Sequence, residues 1–276
     1  MDLDSSCKTY CYLIAILICF QGCAVSNNPE GEQLAETSMP PTSALSVEKE
    51  PEDTVSLAYL LGKFDPSQRP EFVKLQSPIA GGNAVGRYMH EEAFEAYLKM
   101  YAAAAEEGIS LVILSATRNF DAQKSIWESK WTGKRLVGGV NLQQTLPNPT
   151  DRAKEILLYS SMPGTSRHHW GTDIDLNSFN NAYFKSGDGK KVYDWLTKHA
   201  QEFGFCQPYT DKSLNGRSGY EEERWHWSYM PLSKGLLRAY RAKVSYEHIG
   251  GFLGAEAAQP LSVIQQYVEG VNAECK

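Results

Sequence analysis

Ser166-Arg167-His168-His169-Trp170-Gly171-Thr172-Asp173-Ile174-Asp175-Leu176 is the stretch whose reading decides the fold of this chain. His168 and Asp175 are seven residues apart with Gly171 between them, too far for one helical turn and suited to a loop that turns and enters a strand. Asp173-Ile174-Asp175-Leu176 alternates polar and apolar, the pattern of a half-buried strand. Asp173 and Asp175 then share one face while Ile174 and Leu176 enter the core. A second stretch, Glu223-Arg224-Trp225-His226-Trp227, has the same period of two, which holds the two indoles on one face and the imidazole on the other. Glu223, three residues before His226, falls at the junction of loop and strand.

These residue types suit one chemistry. A catalytic zinc site needs three protein ligands of nitrogen or oxygen type, a fourth position open to water, and a base beside that water. His168, Asp175 and His226 are the candidate metal ligands, and Glu223 the candidate base. A lone histidine is more often a satisfied core or surface residue than a ligand, so the argument rests on the four residues together. His169 competes with His168, because neighbours on an extended chain point opposite ways and one of them faces the metal.

In these residues the chain resembles the zinc D-alanyl-D-alanine carboxypeptidases of the vancomycin-resistance type, whose pattern is S-x-H-x-x-G-x-A-x-D followed later by E-x-W-H. Ser166, His168, Gly171 and Asp175 match the first part, and Glu223, Trp225 and His226 the second. A third family element, S-x-x-R-x-x-x-x-Q, looks like Ser115-Ala116-Thr117-Arg118-Asn119-Phe120-Asp121-Ala122-Gln123. The resemblance runs from roughly Leu57 to Phe252 and favours His168 over His169 by its spacing to Asp175. Asp173 departs from the pattern by standing where a small residue is usual, which puts two acids near the metal position.

The resemblance implies an α+β fold, helices packed on a small antiparallel sheet that carries a zinc site, shared by these peptidases and hedgehog signalling domains. It implies Zn2+ as cofactor and removal of a terminal D-alanine from peptidoglycan stem peptides in the bacterial envelope. A peptidoglycan endopeptidase cutting cross-links is the alternative enzyme, and a zinc-bearing cell-wall binding domain without turnover the alternative of another class; Glu223 speaks against the latter. Arg118 follows the apolar run Ile109-Ser110-Leu111-Val112-Ile113-Leu114 and so sits at a strand's mouth, where binding residues collect. Its guanidinium can grip a carboxylate or a developing oxyanion. Gln123 and Ser166 are candidate hydrogen-bonding partners of the substrate.

Around these motifs the periodicity predicts a helix over Glu91 to Glu107, with Phe94, Leu98 and Tyr101 as its stripe and Gly108 as its stop. Further helices are expected over Gln123 to Trp131, Asp151 to Tyr159 and Lys191 to Phe203, the last with Val192, Trp195, Leu196, His199 and Phe203 on one side. The tail from Pro260 reads as a helix packed through Val263, Ile264, Tyr267 and Val268.

The N-terminal part carries an address. Tyr10 to Phe20 is an apolar run too short to span a bilayer comfortably, and it ends at Gln21-Gly22-Cys23, like a bacterial lipoprotein signal. Residues 1–23 are therefore expected to be a signal segment whose Cys23 takes a lipid and anchors the protein to the membrane, facing the periplasm; an uncleaved anchor is the other reading. Residues 24–53 are rich in Asn, Pro, Glu, Ser and Thr and read as a flexible linker. Residues 54–276 are expected to form the catalytic domain. A net charge of -6 and no basic stripe with interleaved aromatics argue against a nucleic-acid partner. Of the six cysteines, Cys206 and Cys275 lie outside the signal; in an exported protein they can pair, and two buried free thiols are the alternative.

Overall fold

The computed structural model describes residues 54–276, so the expectations for the signal segment, Cys23 and the linker lie outside the described residues. In chain order the strands are β1 (Phe72–Lys74), β2 (Tyr88–His90), β3 (Ile113–Ser115), β4 (Asp173–Leu176), β5 (Phe205–Cys206) and β6 (His226–Tyr229). The α-helices are α1 (Leu57–Leu60), α2 (Glu91–Glu106), α3 (Phe120–Trp131), α4 (Leu142–Thr145), α5 (Pro149–Ile156), α6 (Gly187–His199), α7 (Lys212–Asn215) and α8 (Met230–Lys243). β1 and β2 form an antiparallel pair; the other four strands make an antiparallel sheet in the order β3-β4-β6-β5. This is the α+β class expected from the sequence.

The register of β4 against β6 places the site. Asp173 faces Ser228, Ile174 faces Trp227, and Asp175 faces His226. Because side chains alternate across a strand, Ile174, Leu176, Trp227 and Tyr229 all join one core cluster, packed with Tyr97 and Met100 of α2 and Val192 and Leu196 of α6. Asp173, Asp175, His226 and Ser228 project from the opposite face. A second core covers that side, built from Trp127 and Trp131 of α3, Ile156 of α5 and Leu236, Leu237 and Tyr240 of α8. The expectation of a half-buried β4 is corrected here: all four of its residues are buried, since its polar face meets an internal network instead of solvent.

Local chemistry sets the element ends. Asn119 accepts a hydrogen bond from Ala122 N and starts α3 at Phe120, so the helix includes the expected Gln123 to Trp131. Asn148 caps α5, with Pro149 in its first turn, so this helix begins before Asp151 and stops short of Tyr159. α2 ends where expected, but its buried row is Ala93, Tyr97, Met100 and Ala104, and Leu98 is exposed. Phe94 and Tyr101 of the expected stripe flank that row, partly buried against the same core. The extended run before Ser115 is ordered as a strand only from Ile113. α6 starts at Gly187, ahead of the expected Lys191, and the tail forms a short π-helical turn, Ile264–Val268, in place of a longer helix. Cys206 and Cys275 are bridged, with 5.8 Å between their Cα atoms, which ties the C-terminal segment to β5. Among the described residues no helix is long and apolar enough to cross a membrane.

Candidate active site

The turn that delivers His168 is shaped by Gly171. A short 3-10 helix, Arg167–Trp170, ends there with φ of 76°, and the next residues enter β4. A Cβ on Gly171 would meet Phe72 Cε1 at 2.5 Å and the His90 backbone nitrogen at 3.2 Å, so only glycine fits both the conformation and the space. The Gly171 carbonyl accepts a hydrogen bond from His90 N, which fixes the turn against β2.

His168, Asp175 and His226 are brought together. One donor atom from each lies within 4.8 Å of the others, and all three residues are buried. His168 Nε2 is 3.3 Å from Asp175 Oδ2, and His226 Nδ1 is 3.3 Å from Asp175 Oδ1. His168 Nδ1 donates to the Ala116 carbonyl at 2.9 Å, which leaves the Nε2 lone pair pointed at the cluster. His226 Nε2 donates to Asp173 Oδ2 at 2.8 Å, which leaves Nδ1. Both imidazoles thus have one nitrogen fixed by a partner outside the cluster, as metal-binding histidines do. Buried His168 Nε2 and Asp175 Oδ1 have no hydrogen-bond partner of their own. Two imidazole nitrogens and a carboxylate oxygen form a donor set that suits zinc, so the residues fit the ion.

The competing assignments resolve on contacts. His169 accepts from Gly164 N at Nε2 (3.0 Å) and donates from Nδ1 to the Arg118 carbonyl (2.6 Å), so neither nitrogen is free for a metal. Asp173 lies behind His226 and is held by Arg167 Nε at 3.0 Å, Thr172 Oγ1 at 2.8 Å and Ser228 Oγ at 2.7 Å. Burial works to raise its carboxyl, but Arg167 and His226 outweigh that and hold it far below the usual range. It is an orienting anion whose oxygens are occupied. Arg167, with no side-chain exposure, also donates to Ser228 Oγ at 2.6 Å and lies over Trp170.

Electrostatics follow the same layout. Burial and the Arg118 charge lower His168, keeping its imidazole neutral. Burial opposes a charged His226, yet its hydrogen bonds to Asp173 and Glu223 lift it to about 9; a metal at Nδ1 would displace that proton. Burial also works to raise Asp175, but His168, His226 and Arg118 bring it to about 2. Glu223 sits beside the cluster with Oε2 3.2 Å from His226 Nδ1, and burial raises its carboxyl above the ordinary range. A carboxylate so raised is better matched to taking and returning a proton near neutral pH.

A cleft of about 1070 Å³ opens onto His168, Asp175 and Glu223 and is walled in part by Arg118 and Lys130. Arg118 is partly exposed, donates to Ser115 Oγ at 3.2 Å and stands 3.9 Å from Asp175 Oδ2. Gln123 and Ser166 are placed differently: both are buried and neither is among the residues walling the cleft. Gln123 Nε2 donates to the Ser161 carbonyl at 2.8 Å and so fixes the loop behind the cleft, while Ser166 stands at the start of the turn that carries His168. Sequence reasoning passed over Arg167, Ser228 and Lys130. Ser228 was within reach of the period of two that placed His226.

The family model for VanY, D-alanyl-D-alanine carboxypeptidase, matches residues 86–232. The chain is 31% identical over 152 residues to the carboxypeptidase candidate YodJ of Bacillus subtilis (strain 168), covering 52% of this chain and 47% of that protein. It is 26% identical over 133 residues to a D-alanyl-D-alanine carboxypeptidase of Enterococcus faecalis (strain ATCC 700802 / V583), covering 48% and 45% respectively. The chain thus spans about half the length of the curated relatives it matches. A solved structure of a mutant VanY D,D-pentapeptidase in complex with Zn(II) is similar at 21% identity and a TM-score of 0.43, covering 67% of this chain and 93% of that one.

Proposed function

The chain belongs to the VanY D-alanyl-D-alanine carboxypeptidase family, and from that membership we propose that it is a zinc-dependent carboxypeptidase removing a terminal D-alanine from peptidoglycan stem peptides. The observation that carries the reading is the cluster of His168 Nε2, Asp175 and His226 Nδ1, onto whose His168 and Asp175 a cleft opens, with buried Glu223 next to it and outside the ligand set.

Zinc held by these three residues would supply Lewis acidity toward the scissile carbonyl and acidify a bound water. Glu223 takes the water's proton at its carboxylate and returns it to the leaving amine. Asp173 holds the His226 ring through Nε2, and the Ala116 carbonyl does the same for His168 through Nδ1, so both ligands are oriented before any metal arrives. Arg118, at the cleft wall beside the ligand cluster, binds the substrate's free terminal carboxylate or the developing oxyanion. Gln123 fixes the loop behind the site through its side-chain amide, while Ser166, whose buried hydroxyl has no hydrogen-bond partner among the described residues, begins the turn that carries His168.

Anchoring of the mature protein in the bacterial envelope through a lipid on Cys23, facing the periplasm, belongs to the same reading and is supported by the apolar run ending in Gln21-Gly22-Cys23. The test of function is to incubate the protein with tetrapeptide, pentapeptide and cross-linked muropeptides, with and without chelator, and to identify products by mass. Loss of one terminal D-alanine, abolished by chelator and restored by zinc, is expected. Chelator-insensitive cleavage, or cutting of cross-links without need for a free C-terminus, contradicts it.

A further inference from the structure

The cleft holds more positive charge than the reaction above employs. Arg87, Arg118, Lys130 and Arg135 all wall it, while two of its carboxylates, Asp175 and Glu223, are committed to the metal and to proton transfer, which leaves Glu155. Lys130 is the informative cation. It stands in the last turn of α3, half-buried, and its ammonium donates to the hydroxyl of Ser160, itself 8% exposed. Ser160 belongs to the loop that Gln123 fixes through the neighbouring Ser161 carbonyl, so the ammonium is held by a supported partner. That partner is neutral. Burial lowers the Lys130 ammonium to about 8, with Arg135 and Arg118 adding to the shift and Glu223 opposing it, as befits a cation short of an anion.

A half-buried ammonium satisfied by a hydroxyl alone gains from an anionic ligand far more than an exposed lysine does. In a carboxypeptidase the leaving group is a single residue with one carboxylate, and with Arg118 in the first of its two roles that carboxylate is already met. A second anion must therefore come from the acyl side of the bond that is cut. We propose that Lys130, held by Ser160 in the cleft it shares with Arg118, is a specificity-determining residue that binds a second, side-chain carboxylate of the peptide on the acyl side of the scissile bond. This rests on the carboxypeptidase reading.

The test compares two peptides ending in D-alanyl-D-alanine that differ only in the residue before that pair, which carries a side-chain carboxylate in one and the carboxamide in the other. The zinc-loaded full chain should prefer the carboxylate peptide by roughly tenfold or more in KM, the worth of one charge-assisted hydrogen bond. Lys130→Met should collapse that preference by raising KM for the carboxylate peptide, and Lys130→Arg should restore most of it. Equal loss on both peptides in Lys130→Met, or no preference in the unmodified protein, overturns the proposal. Should neither peptide be cleaved, the carboxypeptidase reading fails on its own, and calorimetric binding of the same two peptides still decides Lys130. Tighter binding of the carboxylate peptide, lost in Lys130→Met, sustains it; equal affinities, or binding of neither, overturn it.

Discussion

Asp173 Oδ2 lies 2.8 Å from His226 Nε2, while Asp175 Oδ1 lies 3.3 Å from the other nitrogen of the same ring. Two acids two residues apart on β4 thus meet opposite edges of one imidazole, and each has a different task. Asp173 accepts the ring's Nε2–H hydrogen bond and fixes its orientation, and Asp175 stands on the side where the metal would bind. The strand's alternation aims both carboxylates at the same face, and the β4-β6 register decides which edge each one meets.

The two acids should separate in metal content. Asp175→Asn should purify largely without zinc. Asp173→Asn should bind zinc with affinity weakened by roughly 10- to 100-fold, the usual effect of losing a group that orients a ligand. Metal titration of the two variants checks this, and equal loss in both would contradict the division of roles.

Arg167 should be a stability residue. Its side chain is fully buried against Asp173 and Ser228, so Arg167→Ala leaves a buried carboxylate without its main partner. Unfolding in denaturant should show a loss of about 3–5 kcal/mol. A loss below about 1 kcal/mol, the range of exposed ion pairs, would show that the Asp173 charge is balanced elsewhere.

The bridge between Cys206 and Cys275 closes a long loop, with a sequence separation of 69 residues. Its reduction should lower stability by about 2–4 kcal/mol, mainly by freeing the unfolded chain. Zinc content should persist through reduction, because neither cysteine is in the ligand cluster. Non-reducing peptide mapping should recover the linked pair; two freely alkylated thiols in the native protein would contradict it.

Cys23 is expected to be the lipid-bearing first residue of the mature protein. Mass analysis of the protein recovered from membranes checks it. An intact Met1 or an unmodified Cys23 would end that account.

Much of the site was legible because it lies on strands whose period of two is visible in short stretches. Asp173, Asp175 and His226 took the faces that alternation assigned, and Glu223 fell beside the ligands as its distance from His226 implied. The choice of His168 over His169 came from motif spacing, and its physical reason, the two hydrogen bonds that occupy His169, joins residues 169, 118 and 164 in a way no local pattern reveals. Arg167 was illegible for a similar reason: a lone arginine in a sequence gives no sign that a carboxylate six residues on will bury with it. On α2 the expected stripe holds in part: Phe94 and Tyr101 pack against the core, Leu98 is exposed, and the fully buried row runs beside them through Ala93, Tyr97, Met100 and Ala104. Gln123 sits on a motif position, yet its side-chain amide is spent on the Ser161 carbonyl, a contact that only the fold exposes.

The central claim is that Glu223 serves the chemistry without holding the metal. Zinc content and turnover of Glu223→Ala, measured on the same purified protein, test it most directly. The variant should retain near-stoichiometric zinc and lose activity by roughly 10²- to 10⁴-fold, the worth of a positioned general base. An apo Glu223→Ala protein, or one that is fully active with zinc bound, would contradict the account.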